Sequence, residues 1–175
     1  MYRACPSHRS TSALFFGMVL LRYIDLPTFL VANVIVDIEP LVILTLGLHR
    51  MDGPGLPLHG LLHTFLGGTF VALLLALLMK RMSGFTASLM GLIGLEQRPS
   101  PRNIYAAALS GVYLHILLDS RLYTDIRPFY PFSYNPFLGG LGAAIGTYAF
   151  CVVTGLLGVA LLIVRLVRAR RRVPV

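Results

Sequence analysis

The sequence predicts an all-α protein: a polytopic helical membrane bundle of about five helices plus a short interfacial helix. Composition, the length of the apolar runs and the position of the basic residues all point that way. Of 175 residues, 56% are hydrophobic and 13% charged. Fifteen basic and seven acidic side chains are too few to cover a core of this size with water-facing groups, so the remaining apolar surface calls for lipid. A disordered chain would be poor in apolar residues, and a disulfide scaffold would need more than Cys5 and Cys151. The formal charge of +8 suits nucleic acid at first sight. The excess lies at the ends of apolar runs and in the tail, so membrane topology accounts for it and no nucleic-acid partner is expected. Residues 1–164 read as one helical membrane domain and residues 165–175 as a basic cytoplasmic tail.

Each element is measured against the roughly 20 residues that cross about 30 Å of hydrocarbon. Residues 11–24 are short and end near Arg22, which suggests a tilted or partly embedded helix extending upstream through His8. No small-residue cleavage site follows them, so the segment reads as retained. Residues 27–48 (PTFLVANVIVDIEPLVILTLGL) are long enough to span but carry Asp37, Glu39 and Pro40 at their centre. Pro40 cannot donate to the Val36 carbonyl and disfavours helix at Glu39, so the backbone at residues 37–39 should break or kink. Broken backbone within a bilayer belongs beside a protein-lined cavity.

Residues 59–80 form the clearest span, opening with His59 and His63 and closing on Lys80 and Arg81. Residues 84–95 are too short to cross and read as interfacial or re-entrant. Residues 103–119 make another span with polar groups at its end, and residues 137–164 a glycine-rich one. In the latter, Gly139, Gly140, Gly142 and Gly146 would permit close helix approach. Ten basic residues (Arg22, Lys80, Arg81, Arg98, Arg102, Arg165, Arg168 and Arg170–Arg172) fall on one side of this bundle. Five (Arg3, Arg9, Arg50, Arg121 and Arg127) fall on the other. The positive-inside rule then puts the amino terminus outside and the carboxyl terminus in the cytoplasm, and the protein is expected in the cytoplasmic (inner) membrane.

On that topology His8, His59, His63, His115 and Asp119 gather near the outer face, with Asp37 and Glu39 somewhat deeper. Four helices direct imidazoles or carboxylates to one level, a candidate metal cage. His59 and His63, and separately His115 and Asp119, are four apart, about 40° on one helical face. Asp37 and Glu39 would diverge by roughly 200° on an ideal helix, but the break before Pro40 could bring both to one side. A charged side chain at mid-bilayer costs about 2.5–3.5 kcal/mol, which a bound cation would offset. Imidazole and carboxylate ligands without thiolate suit a divalent metal such as zinc, with manganese or iron as alternatives. His49 is paired with no other candidate and reads as interfacial. Asp25, Asp52, Glu96 and Asp125 read as solvated turn residues.

The segment from Ser120 to Phe137 carries six aromatics and three prolines and reads either as an interfacial aromatic belt or as a lid. In the second reading Arg121 and Arg127 hold a substrate anion by bidentate hydrogen bonds. No phosphate-binding loop, serine nucleophile elbow or H-E-x-x-H helix occurs in the sequence.

The order His8, Asp37-Ile38-Glu39-Pro40, Gly60-Leu61-Leu62-His63-Thr64 and His115-Ile116-Leu117-Leu118-Asp119-Ser120 resembles the YdjM-like family of predicted membrane-bound metal-dependent hydrolases, over roughly residues 5–138. Those proteins show a Pro-Asp-x-Asp motif, a His-Arg-Gly-x-x-His motif and a His-x-x-x-Asp motif beside hydrophobic helices. Here Val36 stands at the family's proline, Glu39 at its second aspartate, Leu58 at its first histidine and His59 at its arginine. The resemblance implies His8, Asp37, His63, His115 and Asp119 as metal residues, His59 as an additional ligand at most, and Glu39 as a longer-armed ligand or general base. A more distant similarity to the all-helical zinc phospholipase C and nuclease superfamily implies phosphoester chemistry.

The leading expectation is therefore a membrane-embedded hydrolase whose metal activates water against an ester or phosphoester, a lipid among the candidates, at the outer face. Glu39 takes the catalytic base role, and Arg121 and Arg127 bind substrate. An ion or proton transporter is the runner-up, because intramembrane carboxylates on a broken helix also describe a translocation path. A noncatalytic membrane protein with a structural metal is the third reading.

Overall fold

The computed structural model describes residues 9–49, 56–97 and 99–170. They form α1 (Arg9–Val19), α2 (Leu26–Ile35), α3 (Ile38–Thr45), a 3-10 turn (Leu61–His63), α4 (Phe65–Arg81), α5 (Ser83–Leu92), α6 (Pro101–Ser120) and α7 (Leu141–Arg170). Among the described residues, the continuous stretch Leu26–Thr45 and α7 are long and apolar enough to cross a membrane, and α4 with α5 makes a third span if that bent pair is counted as one. The five-span expectation is thus met only in part. α1 is 11 residues long, about half the length a crossing needs. α6 has 20 residues but includes Arg102, Asn103, His115 and Asp119. α5 leaves α4 at 71°, the broken or re-entrant geometry expected for residues 84–95.

Local chemistry fixes where these helices start. Asp25 caps α2, its carboxylate accepting from the Thr28 N–H at 3.1 Å and from the Thr28 hydroxyl, with Pro27 in the first turn. Asp25 is buried in this role, not a solvated turn acid. Ser100 caps α6 by accepting from the Asn103 N–H, and Thr64 caps α4 by accepting from the Gly67 N–H at 2.9 Å. The Thr64 cap starts the regular helix at Phe65, so His59 lies outside it and does not share a helical face with His63 as its spacing suggested.

α6 packs between α2 and α4, and α1 between α2 and α7. A core of Ala32, Val36, Ala72, Leu75, Ala76, Ile104, Ala108, Val112 and Ile116 fills the space among α2, α4 and α6. Lipid tails are as apolar as leucine, so helices in a bilayer associate through close packing of small residues. Gly111 and Gly68 supply it: a Cβ on Gly111 would lie 2.6 Å from Ala32 Cβ and 2.9 Å from the Phe29 carbonyl oxygen, and one on Gly68 would lie 2.5 Å from Ile116 Cδ1. On α7 the close approach comes at Gly158, where a Cβ would meet the Phe15 backbone nitrogen at 2.6 Å. The stripe expected to do this does not: Gly140, Gly142 and Gly146 face open space, and a Cβ on Gly139 would meet only Ala143 of α7 and the Arg121 carbonyl. α1, together with Met90 and Leu95 near the cytoplasm-facing turns of α7 as the sequence orients it, determines which face of α7 is used. Leu141, Ile145, Leu156 and Ile163 of α7 are exposed, as a lipid-facing surface requires.

Candidate metal centre

The chain break that builds the site begins with Pro40. Without an N–H there, the Val36 carbonyl is taken by the Glu39 N–H at 3.3 Å, and the Asp37 N–H turns to the Val34 carbonyl at 3.0 Å. Both bonds span three residues where an α-helix would span four. α2 therefore ends at Ile35 and α3 begins at Ile38, one residue earlier than the expected break. In a continuous helix the Asn33 carbonyl would bond to the Asp37 N–H. Here it accepts from His115 Nδ1 across the α2–α6 contact at 2.6 Å. Gly111, one turn before His115 on α6, makes that approach close enough.

This bond fixes the His115 tautomer. With Nδ1 donating, it is Nε2 that carries the lone pair of the neutral ring. Nε2 lies 3.4 Å from Asp37 Oδ1 and 3.3 Å from Asp119 Oδ2, and the i,i+4 spacing of His115 and Asp119 on α6 operates as expected. His63, at the end of the 3-10 turn, is held the same way: its Nδ1 faces Glu39 Oε2 at 3.3 Å, and its Nε2 lies 3.9 Å from Asp37 Oδ1. Asp37 and Glu39 thus flank opposite edges of one imidazole. Asp37, His63, His115 and Asp119 each bring one donor atom into a group within 4.8 Å of one another. His63, His115 and Asp119 are buried, and the Asp37 side chain is 28% exposed.

Neither His63 Nε2 nor His115 Nε2 makes a hydrogen bond, although both are buried. A buried polar atom without a partner costs about 1–3 kcal/mol, and here two such atoms, with their lone pairs converging, share one small space with two carboxylates. Two imidazoles and two carboxylates are a donor set for a borderline divalent ion. The cluster could hold a metal ion.

The other expected residues fall differently. His8 lies outside the described residues. Glu39 is near the cluster but not in it: Oε2 also accepts from the Gly60 and Leu62 N–H groups, both at 3.1 Å. A Cβ at residue 60 would sit 2.6 Å from Glu39 Oε1, so glycine makes room for this carboxylate. His59 stands one layer behind His63, its ring centroid 4.7 Å away in edge-to-face contact. Its Nδ1 lies 3.0 Å from Asp125, which also accepts from the His59 N–H at 3.1 Å, and its ring stacks on Tyr123 at 4.3 Å. Burial raises the Asp125 carboxyl, but the hydrogen bonds and charge of His59 outweigh it and hold the group below the ordinary carboxylate range.

Arg121 and Arg127 are exposed, and among the described residues no hydrogen bond or ion pair joins either guanidinium to the cluster. The loop between α6 and α7 does close over this end of the bundle: Ile126 and Pro128 are buried, the Pro128 carbonyl accepts from the Phe65 N–H at 2.8 Å, and Phe129 packs on Phe65. Phe132 and Tyr134 remain exposed. Asp125 and the Asn33 carbonyl were missed in the sequence. Asp125 looks like any acid in a proline-rich loop, and a backbone carbonyl carries no residue signature.

No family model, curated protein or solved structure matches the chain. The likeness to the YdjM-like family rests on the order of the motifs.

Proposed function

We propose that this protein is a membrane-embedded metal-dependent hydrolase, related to the YdjM-like family, that cleaves an ester or phosphoester at the outer face of the cytoplasmic membrane. The observation that carries this reading is the convergence of two tautomer-fixed, buried Nε2 atoms with the Asp37 and Asp119 carboxylates. The bound ion, most simply zinc, would supply a Lewis acid that activates water and polarises the scissile group. The Asn33 carbonyl holds His115, and Glu39 holds His63. With its Oε2 engaged by two backbone N–H groups and a ring nitrogen, Glu39 is assigned a positioning role in place of the base role expected from the sequence. To the second oxygen of Asp37, the one partly exposed member, we assign the proton of the attacking water.

Access supports a lipid substrate. An open apolar groove of about 510 Å³ runs along α2 and α3 beside residue 37, lined by side chains such as Val34 and Ile38, both exposed. An acyl chain lying in this groove would bring its headgroup linkage to the level of the cluster. The orientation with the cluster outside and the arginine-rich end in the cytoplasm follows the basic-residue bias. Against translocation, the core among α2, α4 and α6 between the cluster and that opposite end is built on Val36, Val112, Ala72, Ala76 and Ala108, and among the described residues no charged side chain is buried in it.

The test uses purified protein in lipid nanodiscs loaded with Mn²⁺. Hydrolysis of phosphodiester and carboxylic-ester reporters should be chelator-sensitive and fall at least about 100-fold in His63→Ala. Water-proton relaxation should show a solvent-exchangeable position on the ion. Bound Mn²⁺ without exchangeable water and without turnover would establish the structural-metal reading instead.

A further inference from the structure

The end of the bundle opposite the cluster contains a second polar cavity, of about 580 Å³, which the hydrolase reading does not use. It lies between the turn after α1, the α5–α6 connection and the last turns of α7, at the level where the membrane-spanning stretch begins at Leu26. That is headgroup depth for a helix starting its crossing. Arg22, Tyr23, Glu96, Asn103 and Arg165 contribute to its lining. An adjoining cavity of about 410 Å³ shares Leu21, Glu96 and Arg165 and adds Arg168 with the apolar Leu161 and Val164.

The polar groups here divide into those already committed and those facing the space. Gln97 is committed: its Oε1 accepts from the Leu26 N–H at 3.0 Å, and its Nε2 donates to the Leu21 and Ile24 carbonyls at 2.8 and 3.0 Å. It pins the start of α2 and forms the floor. Arg165 donates to the Met18 carbonyl at 3.2 Å, which holds its guanidinium against the end of α1 and leaves further N–H donors in the fork. Among the described residues three arginines and one glutamate line the joined cavities, and an apolar wall descends from them along α7.

We propose that the joined cavities seat one anionic phospholipid whose headgroup carries hydroxyl groups. The phosphate is held by Arg22 and Arg165, with Arg168 at the rim. The headgroup hydroxyls donate to Glu96 and bond to Asn103, and an acyl chain follows Leu21, Leu161 and Val164. The three-to-one charge ratio favours a net negative headgroup over a zwitterionic one, and Glu96 favours a headgroup with donors over a bare phosphate. Asn103 at this site and His115 in the cluster lie on the same helix, α6, about 18 Å apart along its axis, so the site stands independently of the hydrolase reading.

The experiment measures phospholipid retained by the full-length protein, extracted from vesicles of mixed phosphatidylglycerol and phosphatidylcholine, by native mass spectrometry. Wild type should keep phosphatidylglycerol in preference to phosphatidylcholine. Arg22→Gln and Arg168→Gln should each lower that preference about fivefold, the equivalent of about 1 kcal/mol per basic side chain at an anionic surface. Arg165→Gln also removes a bond to α1, so the other two variants carry the test if it fails to fold. An undiminished preference in an Arg22→Gln/Arg168→Gln double variant would overturn the proposal. So would displacement of the lipid by soluble glycerol 3-phosphate at comparable affinity, which would make the ligand a free anion.

Discussion

The stretch Leu26–Thr45 and α7 are both apolar and both long enough to span, yet one is broken and the other is not. α7 disposes of its buried threonine hydroxyls within itself: Thr147 donates to the Ala143 carbonyl at 2.8 Å and Thr154 to the Phe150 carbonyl at 2.6 Å. Its backbone runs 30 residues without interruption. α2 and α3 instead pass their unsatisfied groups to neighbours. The Asn33 carbonyl goes to His115, Glu39 to the 3-10 turn and His63, and Asp37 to both histidines. The comparison teaches that a polar residue in a span becomes part of a site when the local backbone cannot absorb it. Pro40 decides which of the two helices is in that position.

The sharpest way to break the comparison is Pro40→Ala. It restores a donor for the Val36 carbonyl, should draw the Asp37 N–H back to the Asn33 carbonyl, and so removes the acceptor that orients His115. Loss of such an outer hydrogen bond typically costs about 10–100-fold in metal affinity. Competition with a chromophoric chelator would measure it, and an unchanged affinity would show that the broken backbone does not hold the site. Glu39→Gln, which keeps the shape but weakens the acceptor for His63 Nδ1, should lower affinity less, by about tenfold in the same assay.

Much of this was legible because it depends on chemistry local in the chain. Pro40 forces the break wherever the helix packs, and His115 and Asp119 face one way because they are one helical turn apart. Asp37 and Glu39 were legible as a pair but not in their division of labour, which depends on the 3-10 turn presenting the Gly60 and Leu62 N–H groups to one carboxylate only. His59 misled because its spacing from His63 suggests a shared face, while the Thr64 cap starts the helix after both. Its partner Asp125, 66 residues away, is placed by the loop after α6. The glycines of α7 show the same limit: sequence spacing gives a stripe, but packing against α1 falls at Gly158.

That last contrast yields the smaller effects. Gly158→Leu should separate α1 from α7 and cost about 1–3 kcal/mol of stability in detergent denaturation, with metal affinity intact because the cluster rests on α2, α4 and α6. Gly142→Ala, facing open space, should stay within about 0.5 kcal/mol of wild type. A larger loss at residue 142 than at residue 158 would mean that α7 packs on a different face.

The central claim is that four side chains from three separate stretches of chain form one metal centre. Metal content of purified wild type, His115→Ala and Asp119→Ala, measured by inductively coupled plasma mass spectrometry after equilibration with Zn²⁺, tests it most directly. The account predicts one ion per wild-type chain and loss of that ion in both variants, with each still folded by circular dichroism. Metal retained equally by all three proteins, or absent from folded wild type, would contradict it.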